Sequence, residues 1–183
     1  MTRQILAMMF HPRLDRSTVT RRLFYTLQQD PGIVAVDMYA SYPDFGIDVE
    51  FEKKRIQAHN IIVFLYPIYW YSGPALLKEW MDLVLEYGFA YGMSAAALKG
   101  KYWLPIVSCG TDEESYTPTG SHEHTLETFL LPYAMTAKVC QMQYQKPIAI
   151  YGLSHSQSES KIKTHINQVM DYLQTLKENV QSD

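Results

Sequence analysis

Five apolar runs, separated by stretches of helical period, limit what this chain can fold into more than any other feature. They cover residues 5–10, 33–38, 61–65, 101–109 and 148–152. Short continuous runs of Ile, Val and Leu suit strands buried on both faces. Between them the period changes. Ser17 or Thr18 caps a helix reaching Gln29, with Val19, Leu23, Phe24, Tyr25 and Leu27 at its apolar positions, and Asp30-Pro31-Gly32 stops it. A loop is expected through 42–45 and a short polar helix over 48–59. Pro74 suits the first turn of a helix carrying Leu76, Leu77, Trp80, Met81, Val84 and Leu85. Another helix begins near His122, and a long one covers 158–177. The alternation predicts an α/β fold: a five-stranded parallel sheet, doubly wound, with helices on both faces. Pro105 has no amide hydrogen to donate, which predicts an edge position or a bulge for the fourth strand. No repeat, low-complexity tract or linker interrupts the pattern, so residues 1–183 read as one domain.

Composition removes several function classes. A net charge of −3 leaves no basic excess for neutralising phosphates, which argues against nucleic acid as a partner. The densest basic cluster, Lys53-Lys54-Arg55, reads as a solvated helix face. Cys109 and Cys140 are far apart and lack CxxC spacing, so neither a disulfide framework nor a zinc site is expected. The first apolar run is too short for a signal peptide, and no run approaches the ~18 residues that span a bilayer. A cytoplasmic protein is the expectation. Fourteen Tyr, seven Phe and three Trp are many for this length, and fit core packing, a planar ligand or a subunit interface equally well.

In a doubly wound sheet, ligands bind beyond the carboxyl ends of the strands, where the winding reverses. Three loops meet there: 11–17, 66–71 and 108–116. The first has neither GxGxxG nor the glycines and lysine of a P-loop. It offers His11 and a helix start at Ser17-Thr18, which is either a phosphate cradle or a plain N-cap. The second, Tyr66-Pro67-Ile68-Tyr69-Trp70-Tyr71, sets aromatic rings where a flat ligand would bind, or forms an apolar plug. The third, Ser108-Cys109-Gly110-Thr111, has small residues that admit close backbone approach, with Tyr116 placed to reach back over a ligand. Cys109 has no evident His/Asp partner and reads as a small buried residue. His122 and His124, with no third ligand, read as surface residues, and no metal site is expected.

At these loops the chain resembles the flavodoxin-like NAD(P)H:quinone oxidoreductases, and among them the ancillary proteins of glutathione-gated potassium efflux systems (KefF and KefG). The matching stretches are His11-Pro12 with Ser17, residues 39–48, residues 66–82, Gly88-Phe89-Ala90-Tyr91-Gly92 and Leu98-Lys99-Gly100-Lys101. The resemblance implies strand order 2-1-3-4-5, a non-covalent flavin, and a homodimer with each active site near the subunit boundary. It implies a ping-pong hydride relay from NAD(P)H through the flavin to a quinone or other electrophile. The short chain favours FMN, with FAD as the alternative. Carried over by position, His11, Ser17 and Thr18 face the flavin phosphate and ribityl chain. Pro67, Ile68, Tyr69, Trp70 and Tyr71 line the ring, and Ser108, Cys109, Gly110 and Thr111 close the other side. Tyr71 and Tyr116 are the candidate catalytic groups. The resemblance also admits a regulatory subunit docked on the cytoplasmic domain of a potassium efflux transporter, peripheral to the inner membrane. One departure favours that alternative: Ser108-Cys109-Gly110-Thr111 stands where such oxidoreductases have Thr-Thr-Gly-Gly.

Overall fold

The computed structural model describes residues 5–155 and 157–182. Strand β1 (Ile5–Met9) is buried along its whole length, with β2 (Ile33–Asp37) on one side and β3 (Ile61–Pro67) on the other. β4 (Tyr102–Ser108) pairs with β3, and β5 (Gln143–Tyr144) and β6 (Ile148–Ile150) both pair with β4. Every pairing is parallel, in the order β2-β1-β3-β4-β5, which is the flavodoxin-like order.

Two prolines account for the one departure in the sheet. β4 is not an edge strand, and it pairs with β3 without interruption from Tyr102 to Ser108. Its odd-numbered amides face the fifth position, as the Cys109 N–H does in donating to Ile150. Pro105 therefore turns its missing donor to that side. There the partner breaks: Trp103 pairs with Tyr144 but Ile106 with Ile148, so one extra residue is accommodated opposite Pro105. Pro147 lies in the break and also lacks a donor. The expected bulge thus falls in the neighbour, and the fifth strand becomes two short segments.

The helices are α1 (Thr18–Gln29), α2 (Met38–Ser41), α3 (Val49–Gln57), α4 (Ala75–Val84), α5 (Leu126–Val139) and α6 (Glu159–Ser182). α2 occupies residues expected to end a strand and begin a loop. The Asp37 carboxylate stops β2 and caps this turn by accepting from the Ala40 N–H at 3.0 Å. α5 begins at Leu126, four residues later than His122, so both histidines sit in the preceding loop. Alternate strand residues divide the core into two layers. Leu6, Met8, Phe10, Ile62, Phe64 and Tyr66 pack with α4 and α5, whereas Ile5, Ala7, Met9, Ile61, Val63 and Leu65 pack with α1 and α6.

One charged group is fully enclosed in the first layer. Glu52 on α3 has no exposed surface, and it accepts from Tyr42 Oη at 2.7 Å and from Trp80 Nε1 at 3.0 Å. Arg55, one turn later, pairs with the same carboxylate at 2.7 Å. Both carboxylate oxygens are thus engaged, as burial of a carboxylate requires.

Candidate functional site

The carboxyl ends of β1, β3 and β4 open into a cavity of about 690 Å³. Nine of the residues proposed from sequence line it: His11, Ser17, Thr18, Pro67, Ile68, Tyr69, Ser108, Cys109 and Gly110. Trp70, Tyr71, Thr111 and Tyr116 do not.

The β1 loop narrows through a single 3₁₀ turn, Leu14–Arg16, before α1 begins. Ser17 stands at the N-cap with extended backbone, yet its hydroxyl makes no capping bond. The first-turn amides of α1 have no intrahelical acceptors, so hydroxyl and amides together form a donor-rich rim. His11 is buried, and its Nδ1 accepts from the Arg13 N–H at 3.1 Å, which leaves the proton of the neutral ring on Nε2. Burial lowers its pKa. An unfolded histidine protonates below about pH 6.5, while the folded one resists, so the unfolded state binds more protons there. Stability should therefore fall as pH drops from about 6.5 through the folded value. Titrating the urea midpoint of wild type and His11→Gln against pH should show the acid slope reduced in the variant. Equal slopes would assign the effect elsewhere.

After β3 the chain makes a tight reversal. Tyr69 and Ser72 exchange backbone hydrogen bonds of 2.8 and 3.0 Å, and the two residues between them have φ of 50° (Trp70) and 65° (Tyr71). Positive φ at both central positions defines a type I′ turn, which favours Asn-Gly and resists aromatic residues. Tyr133 on α5 pins the reversal, its Oη accepting from the Gly73 N–H at 2.7 Å and lying 3.0 Å from Ser72 Oγ. A Cβ at Gly73 would sit 2.7 Å from that Oη and 2.8 Å from Leu77 Cδ2, so only glycine admits the contact. The turn holds Trp70 in solvent at 95% exposure, with Tyr71 half exposed.

Tyr71 leads into an aromatic group that adjoins the cavity. Its ring lies 5.4 Å from His122 and 5.0 Å from Phe129, and His122 lies 4.6 Å from Tyr116. His122 Nε2 is also 2.9 Å from Thr111 Oγ1, which turns the Thr111 side chain toward the histidine. Burial, with the Cys109 sulfur beside it, pushes the Tyr116 phenol up to about 12, so it stays a proton donor at neutral pH. Burial likewise pushes the Cys109 thiol up to about 11, which removes it as a nucleophile. Sequence reasoning set His122 aside as a surface residue. It also missed Arg13, Arg16, Ser154, His155 and Gln157, which complete the cavity wall and carry no local motif.

A flavin fits this donor set. Among the described residues, the amides of Trp70, Tyr71, Gly110 and Thr111 have no acceptor in the protein; Gly110 lines the cavity, and the others follow its lining residues Tyr69 and Gly110 in the chain. The α1 rim supplies the anion end. No group of three or more His, Cys, Asp or Glu suited to a metal occurs among the described residues, and none of their helices is long and apolar enough to cross a membrane.

The fold and these loops define a class, and comparison with known proteins agrees with it. A family model for the flavodoxin-like fold matches residues 3–173, and the chain belongs to that family. It is 41% identical over 148 residues to the glutathione-regulated potassium-efflux system ancillary protein KefG of Pectobacterium carotovorum, covering 81% of each chain. General stress protein 14 of Treponema denticola, solved in complex with FMN, is 34% identical with a TM-score of 0.86, over 96% of this chain and 98% of that one. An NADPH-quinone reductase from P. pentosaceus shares the fold at 24% identity and a TM-score of 0.81, over 92% of this chain and 96% of that one.

Proposed function

We propose that this protein is a flavin-dependent NAD(P)H:quinone oxidoreductase that holds FMN in the cavity beyond β1, β3 and β4. The observation carrying this reading is one cavity of about 690 Å³ at the carboxyl ends of the central strands, walled by the start of α1, the loop after β3 and the loop after β4. Bound flavin supplies the two-electron hydride chemistry that no side chain here can perform. The chain's own groups do the rest. The α1 first turn, Ser17 and Arg16 hold the phosphate. The amides of Trp70, Tyr71, Gly110 and Thr111 hold the polar edge of the ring system. Tyr69, Trp70 and Tyr71 offer flat apolar surface to a nicotinamide or quinone, admitted in alternation. Tyr116, buried outside the cavity lining and neutral at pH 7, packs against His122 and positions it beside Tyr71. Thr111, whose side chain bonds His122, stands in for a glycine without filling the cavity.

Purified protein supplied with FMN should take up one flavin per chain and oxidise NAD(P)H when a quinone is present. Failure to retain either FMN or FAD, together with no quinone-dependent oxidation, would remove the proposal.

A second reading, compatible with the first, is a regulatory subunit of a potassium efflux transporter, acting at the cytoplasmic face of the membrane. The similarity to KefG supports it. A homodimer suits the exposed apolar side chains of Leu83, Leu131, Met135 and Val139 on α4 and α5. Co-purification with the transporter, and light scattering of the free protein, test the two assemblies.

A further inference from the structure

Beside the cavity at the carboxyl ends of β1, β3 and β4 lies a second space. The groove runs between α1 and α6, has a volume of about 520 Å³, and is walled by Arg22, Thr26, Lys163, Ile166 and Asn167. Glu159 and Ile162 line both the groove and the cavity. Across the boundary Arg22 of α1 meets Glu159, the first residue of α6, with both carboxylate oxygens engaged and the longer contact at 2.9 Å.

We infer that Glu159, held by Arg22, is a specificity determinant that admits a flavin mononucleotide and excludes the dinucleotide. The inference rests on the flavin reading above. FAD differs from FMN by a second phosphate and an adenosine, which must continue from the phosphate rim of α1. The groove offers room, two cations and apolar surface for that arm. Glu159 stands at its mouth. The arginine keeps its carboxyl below the ordinary range, and a carboxylate suits the start of a helix, so it is ionised at neutral pH and paired with Arg22. A diphosphate passing this point meets a like charge and must break the pair, which a single phosphate at α1 need not do. Because the pair is exposed, the effect should be modest and salt-sensitive.

The test is titration of apo-protein with FMN and with FAD, read by quenching of flavin fluorescence, in wild type, Glu159→Gln and Glu159→Ala. Wild type should bind FMN about tenfold more tightly than FAD. The preference should shrink about threefold or more in Glu159→Gln, further in Glu159→Ala, and also in wild type as salt rises from about 0.05 to 0.5 M. Equal affinities in wild type, or a preference unmoved by either variant, would overturn this inference while leaving the flavin reading intact. If wild type binds neither flavin, the flavin reading fails and takes this inference with it.

Discussion

Replacing Glu52 with alanine should lower the unfolding free energy by about 3–5 kcal/mol, the range for breaking a buried ion pair from one side. The carboxylate is the common acceptor for Tyr42 Oη, Trp80 Nε1 and Arg55. Removing it leaves an indole N–H and a phenol without partners in a dry layer, and a guanidinium whose side chain is only 15% exposed. Burial and the Glu52 carboxylate also raise the Tyr42 phenol pKa, so that residue remains a donor in need of an acceptor. Glu52→Gln keeps an oxygen acceptor and the volume but not the charge, and should cost about 1–3 kcal/mol. Urea titration measures both. A loss below about 1 kcal/mol for the alanine variant would mean that water reaches the site and replaces the carboxylate. The effect should extend to the candidate site, because Trp80 belongs to α4, the helix that follows the Trp70–Tyr71 turn.

How much of this was legible in the sequence follows the range of each interaction. The strands could be read because their burial on both faces writes an unbroken apolar run, and α1 because Ser17 and Asp30 flank an apolar stripe. Pro105 was legible as a missing donor but not in its consequence. Whether a proline marks an edge depends on what lies opposite, and Pro147 is 42 positions away in the chain. β3 runs on through Tyr66 and Pro67 because the Ile68 amide finds the Ser108 carbonyl at 2.9 Å, a non-local bond that no loop-like residue pattern announces. In the site, Ser17, Thr18 and Gly110 stood out through their local chemistry. His122 did not, since its partners Tyr71, Thr111 and Phe129 come from three segments that only the sheet brings together. The wall formed by Leu153, Ser154, His155, Gln157 and Glu159 follows a strand of three residues and has no signature at all.

The double variant Trp70→Asn, Tyr71→Gly should make the protein more stable and, under the proposed function, a poorer oxidoreductase. A side chain held in the left-handed region costs roughly 1–2 kcal/mol per residue, and both positions lie there, with φ of 50° and 65°. Asn-Gly is the pair that a type I′ turn favours. Against this gain stands the loss of Tyr71's ring contacts to His122 and Phe129, worth about 0.5–1.5 kcal/mol each. Trp70 at 95% exposure gives up almost no burial, so Trp70→Asn alone should stabilise by about 1 kcal/mol. Relief of about 2–4 kcal/mol at the two positions against a loss of about 1–3 kcal/mol leaves a net change between about −1 and +3 kcal/mol, centred on a gain of about 1. Strain of this kind persists where a bound partner compensates for it, and under the proposed function that partner is the flat substrate that the two rings would cover. Each ring removed should raise the KM for nicotinamide or quinone about three- to tenfold, with flavin affinity less affected because the turn's amides remain. Thermal unfolding gives the first sign and steady-state kinetics the second. If Trp70→Asn alone unfolds more easily than wild type, the strain argument fails. If it is stabilised with KM unchanged, the turn is strained for some purpose other than substrate stacking, and a surface contact made by Trp70 becomes the stronger account.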